Sequence, residues 1–151
     1  MTDEMAAKPL DPEEAVEAAN RMIAEGRAGT MLPNLGLRYV EVGPNRIVAR
    51  IPVGSNTQYY GMLHGGATAA LCETVASFGT AMLVGLDRVV TGVELNVNHI
   101  RAVRTGSVTA TGVPLHVGRT TAVWDMRVHD DEGRLVAVSR LTLVIREPAA
   151  S

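Results

Sequence analysis

HGGATAALCETVASFGTAMLVGL, residues 64–86, is apolar enough to disappear into a core, yet it carries one acid, Glu73, near its centre. From Gly65 to Leu86 it counts 22 residues, a length that could span a bilayer. Four hydroxyl residues, four glycines and the acid argue against that. A carboxylate at mid-bilayer costs roughly 2.5 kcal/mol or more. Ala67, Ala69, Ala70, Ala76 and Gly79 instead suit a helix so tightly enclosed that larger side chains would clash. The segment reads as a central, buried helix.

Helical spacing puts Glu73, Ser77 and Thr80 on one stripe, with Gly66 and Ala69 above them. Two accounts fit. Either the stripe faces solvent and Glu73 is an ordinary surface acid, or it lines a slot where partial burial raises the carboxylate's pKa. Upstream, Gly65-Gly66 stands where the helix should begin. Backbone N–H groups at a helix start lack acceptors, and glycine leaves them unobstructed, so the pair could polarise a carbonyl oxygen. Simple steric relief would also explain two glycines there.

Around this helix the chain reads as follows. Residues 1–10 lack periodicity and are expected to be a flexible tail, with a single domain over 11–148. Asp11-Pro12-Glu13-Glu14 has the form of a helix start, an acid at the cap and proline at the first position. Ala15, Val16, Ala19, Met22 and Ile23 keep one face, and Gly26 is a stop. Strands are expected over 35–43 and 45–53, joined by a turn at Gly43-Pro44-Asn45. Four further runs rich in Val, Thr and Leu cover 89–103, 107–117, 120–129 and 134–146. Their short connections favour antiparallel neighbours, and Pro114 implies an edge or a bulge. The fold class is therefore α+β: a short N-terminal helix, then a curled antiparallel sheet of about six strands around one long helix, with the remaining surface covered by another copy.

The formal charge of −2 offers no general attraction for nucleic acid. One cysteine, Cys72, excludes an internal disulfide, and the N-terminus lacks a secretory pattern, so a cytoplasmic home is expected. Cys72 lies about 100° around the helix from Glu73 and is expected to pack in the core. His99, His116 and His129 have no ligand-like spacing, so no metal is expected; no Gly-x-Ser-x-Gly elbow is present.

Gln58-Tyr59-Tyr60-Gly61-Met62-Leu63-His64-Gly65-Gly66, followed by Ala70-Leu71-Cys72-Glu73-Thr74, resembles the hotdog-fold acyl-CoA thioesterases. The likeness is to the branch holding the Arthrobacter-type 4-hydroxybenzoyl-CoA thioesterase, the 1,4-dihydroxy-2-naphthoyl-CoA thioesterase and the PaaI proteins. It runs from about 35 to 147, through Gly118-Arg119-Thr120-Thr121, Trp124-Asp125 and Asp131 to Ala137. The resemblance implies a sheet wrapped around one helix, subunits joined sheet to sheet as a dimer, commonly paired again as a homotetramer, and active sites across the subunit interface. It also implies hydrolysis of an aryl-CoA or small to medium acyl-CoA, with no cofactor. Glu73 would be the catalytic base or nucleophile, and the Gly65 N–H the donor to the thioester carbonyl. Gln58 and His64 would position thioester or water, and Ser77 would orient water or substrate. Glu73 stands where PaaI proteins carry Asp, which leans toward the other two groups. Arg101, Arg104, Arg119, Thr120 and Thr121 are candidates for the anionic end of CoA. Tyr59, Tyr60, Met62, Phe78 and Met82 are candidates for the acyl pocket. Two alternatives stand beside the hydrolase: a non-catalytic acyl-CoA-binding protein, and a dehydratase or hydratase using His64 with Glu73.

Overall fold

The computed structural model describes residues 11–26 and 29–148; the expected tail at 1–10 lies outside them. Helix α1, Pro12–Glu25, starts as the sequence dictates. The Asp11 side chain accepts from the Glu14 N–H, and the Glu14 side chain accepts from the Asp11 N–H. Gly26 follows its last turn. Strands β1, Arg38–Gly43, and β2, Arg46–Pro52, form the expected hairpin. The first strand starts three residues later than expected, at Arg38 and not at residue 35. Met31–Leu35 is a short helix, α2, closed by Gly36 in the left-handed conformation, φ 66°.

Helix α3 is Gly65–Val84. Strands β3, Val89–His99, β4, Ser107–Val117, β5, Thr121–Asp130, and β6, Leu135–Arg146, complete one antiparallel six-stranded sheet in the order β1-β2-β4-β5-β6-β3. β3 ends four residues earlier than expected. Both the Ile100 and Arg101 N–H groups bond the Val136 carbonyl, which turns the chain off the sheet. Pro114 lies at a register shift in β4 and beyond Gly112, where pairing with β2 ends, so it sits both at a bulge and on a stretch open on one side.

The core lies between α3 and the concave face of the sheet. Trp124, Ile47, Ile51, Leu71, Met126, Leu141 and Leu143 are completely enclosed there. Gly79 and Gly112 set how near helix and sheet come. A β-carbon at 79 would stand 2.7 Å from Trp124 Cζ2 and 2.9 Å from Ile47 Cγ1, and one at 112 would meet Val75 Cγ1. Glycine is required by that approach. Thr80, expected on the Glu73 stripe, instead faces the core: its hydroxyl accepts from Trp124 Nε1 at 2.8 Å and donates to the Ala76 carbonyl at 2.9 Å. On a helical wheel Thr80 is only about 20° from Glu73. The closure of the sheet over the C-terminal half of the helix, led by the bulky Trp124, is what buries it.

Candidate active site

Helix α3 has one face against the sheet and one face open. Ala69, Ala70, Glu73, Thr74, Ser77, Phe78 and Ala81 are partly exposed, whereas Ala67, Thr68, Leu71, Cys72, Val75, Ala76, Gly79 and Thr80 are buried. Small residues make up most of the open face. Phe78 closes one margin by packing on Tyr39 of β1, ring centroids 4.4 Å apart. Glu73 stands at the other margin, over β3. Among the described residues it makes no hydrogen bond and no ion pair. Burial without a compensating cation raises its pKa above the ordinary carboxylate range. This is a poorly solvated carboxylate with its lone pairs unclaimed.

Ser77 is one turn further along the same face, also half-buried. Cys72 packs in the core as expected, and burial pushes its thiol up to about 12, which leaves no thiolate for chemistry at neutral pH.

The other candidates gather at the start of α3. Asn56 organises this end. Its side-chain amide donates to the carbonyls of Leu35 and Pro52, each at 2.8 Å, and its own carbonyl accepts from the His64 N–H. Through its side-chain amide and its backbone carbonyl, Asn56 thus ties α2, β2 and the entry to α3 together, a role that no local sequence pattern marks. His64 is the N-cap, its Nδ1 accepting from the Gly66 N–H at 2.8 Å. The Gly66 donor is therefore occupied, and the expected pair of free amides reduces to one. The Gly65 N–H has no acceptor among the described residues. With Nδ1 accepting, the neutral His64 ring carries its proton on Nε2, facing outward from the cap.

His99, at the end of β3, completes the cluster. A β-carbon at 65 would stand 2.8 Å from His99 Nε2, so the glycine is what lets the imidazole reach the helix start. In the sequence His99 is a lone histidine inside the strand expected over 89–103, without ligand-like spacing, and no local pattern marks it for the site. A cleft of about 290 Å³ opens here, lined by Gln58, Gly65, His99 and Arg101 among others. Gln58 Oε1 accepts weakly from the Tyr60 N–H at 3.3 Å, leaving its NH₂ group directed elsewhere. The adjoining Tyr59 is 97% exposed.

The five residues proposed for CoA divide into two groups. Arg101 borders the cleft, and Arg104 Nη1 donates to the Tyr60 carbonyl at 2.8 Å, holding the glutamine loop. Arg119 and Thr120 lie in the β4–β5 turn and Thr121 opens β5, where it pairs with Val144, itself opposite Thr91 near the start of β3. Eight residues of extended chain, roughly 26 Å, separate Thr91 from His99, where the chain turns toward Arg101. Within one chain the two groups do not meet.

Residues 60–137 match the family model for the thioesterase superfamily. The chain belongs to the thioesterase superfamily. It is a thioester hydrolase with the hotdog fold. It is 37% identical over 131 residues to the 1,4-dihydroxy-2-naphthoyl-CoA hydrolase of Escherichia coli, covering 86% of this chain and 93% of that one. A proofreading thioesterase, EntH, of Cronobacter sakazakii is 39% identical over 118 residues, 78% of this chain and 86% of its own. The crystal structure of a Haemophilus influenzae thioesterase superposes with a TM-score of 0.81 at 32% identity, covering 95% of each chain.

Proposed function

We propose that this member of the superfamily hydrolyses acyl-CoA thioesters to the free acid and CoA, using Glu73 as its catalytic carboxylate. The observation that carries this reading is a half-buried Glu73 with no partner among the described residues, on the same helix as a Gly65 N–H with no acceptor among them. The Gly65 N–H stabilises the negative charge that develops on the carbonyl oxygen. Glu73 either takes a proton from water as the water oxygen attacks the carbonyl carbon, or attacks it directly and is released by water. In both routes the carbon–sulfur bond breaks and CoA leaves as the thiolate, which is then protonated. His64 Nε2–H and the Gln58 amide supply donors around the thioester, and Ser77 orients water or substrate. His99 joins them through its contact with Gly65.

The two halves of this chemistry belong to different copies of the chain. Gly65 and Glu73 are eight residues apart on one helix, about 12 Å along its axis, too far to serve one carbonyl. Strand β3 is an eleven-residue sheet edge with Val89 and Val93 exposed, a surface that needs covering. Antiparallel pairing of β3 with a second β3 would bring one subunit's Gly65, His64, Gln58, His99 and Arg101 toward the other's Glu73, Ser77 and Arg119-Thr120-Thr121. The functional unit is thus a dimer at least, and a tetramer if two such dimers pair; light scattering measures which. A single buried thiol suits the cytoplasm.

For the acyl group there is an apolar cavity of about 250 Å³ against Phe78 and Tyr39, roofed by Met22 and Ile23 of α1. A cavity of about 150 Å³ holds benzene, so an aromatic ring or a medium alkyl chain fits this volume. Turnover of a panel of aryl and aliphatic acyl-CoAs tests the whole reading. A Glu73→Ala protein that keeps the wild-type rate on the best of them would sink it. Single turnover in ¹⁸O-water separates the two routes: label entering the Glu73 carboxylate marks the nucleophile.

A further inference from the structure

We propose that Gly92 is a positioning residue for Glu73: its missing side chain leaves the recess in β3 in which the carboxylate lies. The inference rests on the role given to Glu73 above. Gly92 pairs with Leu143, and Leu143 pairs with Ala122, both enclosed in the core, so all three share the face of the sheet that looks at α3. A β-carbon at 92 would stand 2.9 Å from the Glu73 carboxyl carbon and closer still to Oε1. No other group lies so near that position. The register of β3 on β6 shifts between Gly92 and Glu94, so the recess coincides with a bulge, a device that recurs beside active sites. Glu94, the next acid along the strand, lines a groove with Asn96, Asp125 and Arg140 and is not part of the recess.

The identity of the obstructing atoms makes the proposal testable. At Gly79 an added carbon would meet an indole locked in the core, which cannot yield. At Gly92 it would meet the tip of a flexible side chain, which yields at little cost to the fold. Gly92 is not among the glycines of positive φ, so alanine suits its backbone. A Gly92→Ala substitution should therefore leave the protein folded while driving the carboxylate out of its seat toward solvent.

The full-length protein, in its native assembly, is compared with Gly92→Ala, Glu73→Asp and the double variant. Gly92→Ala should melt within about 3 °C of the wild type and lose roughly 10- to 100-fold in kcat with KM little changed, since displacing a reacting group by about 1 Å can cost about 100-fold. Aspartate is about 1.5 Å shorter and does not reach the added carbon. In the Glu73→Asp background the same change should cost less than about twofold. A carboxyl NMR titration supplies a readout independent of turnover: the Glu73 midpoint should fall toward the ordinary range in Gly92→Ala as the group gains solvent. A folded Gly92→Ala protein with wild-type kcat, equal losses in both backgrounds, or an unmoved midpoint overturns the proposal. Should Gly92→Ala not fold, adding Glu73→Ala must restore folding, or the clash lies elsewhere and the proposal is overturned. Failure of the Glu73 assignment is read separately, from an active Glu73→Ala protein, because the NMR shift reports the seat whether or not the seat is catalytic.

Discussion

On α3, Gly79 and Thr80 turn toward the sheet and Glu73, Ser77 and Phe78 turn away, and the two sets obey different rules. On the inner face Thr80 is fully paired: its hydroxyl accepts from Trp124 and donates to Ala76. On the outer face Glu73 accepts from nothing among the described residues, although it is half-buried. Satisfied polar groups stabilise a core, whereas an unsatisfied acid raises its free energy and retains its reactivity. One helix therefore carries both the close contacts of Gly79 and Thr80 with the sheet and, among the described residues, the one half-buried acid without a partner. The contrast predicts that substitutions on the outer face alter rate, and those on the inner face alter stability.

The largest expected effect is on the outer face. Glu73→Gln keeps the shape and removes the proposed catalytic carboxylate, and kcat should fall by about 10²- to 10⁴-fold, the usual contribution of a positioned base. Its urea midpoint should not fall. A destabilised Glu73→Gln protein would mean that the acid holds structure and would end the contrast. Next comes Gly79→Ala on the inner face. Overpacking against Trp124 and Ile47 should cost about 1–3 kcal/mol, measured by urea denaturation, with activity per folded molecule within about twofold of wild type.

Much of this contrast was legible in the sequence. The long helix could be read because alanine and glycine recur where a sheet must come close, and the strands because their connections are short. Which glycine does what could not be read. Gly65, Gly79, Gly92 and Gly36 look alike on paper, yet they admit His99, Trp124, the Glu73 carboxylate and a left-handed helix cap respectively. Met31–Leu35 was missed because Pro33 sits within it and Thr30 supplies no side-chain cap. Thr80 was misassigned because a wheel records angle and not how far the sheet curls. His99 and Asn56 act through contacts 34 and 21 residues away in sequence, with Gly65 and Leu35 respectively, which no local pattern contains.

Thr80 and Ser77, one turn apart, allow a sharper comparison because both are small hydroxyl residues. Thr80→Val strands the buried Trp124 N–H and should cost about 1–3 kcal/mol of stability without changing kcat. Ser77→Ala removes one outward hydroxyl, worth about 0.5–1.5 kcal/mol, so kcat should fall roughly two- to tenfold with the melting temperature unmoved. Exchanged outcomes would show that the boundary between the faces runs on the other side of one of these residues.

The smallest effect is the most direct measure of what the outer face does to the fold. Glu73 has a raised pKa in the folded protein because burial disfavours its charge, and it regains an ordinary value, about 4.3, on unfolding. The folded state therefore holds the proton more tightly. Any stability the group contributes is present below the unfolded pKa and is lost as pH rises through the folded one. At neutral pH the wild type carries the cost of a half-dry charge that Glu73→Gln lacks, so the variant should be the more stable of the two. As pH falls into the carboxylate range both proteins become neutral at this position in both states, and the difference should close. Urea melts from pH 4 to pH 8 trace it. A gain that persists unchanged at pH 4 would assign the stabilisation to packing of the amide, and no gain at pH 8 would mean that the carboxylate is as well solvated as any on the surface, which would remove the physical basis for its chemistry.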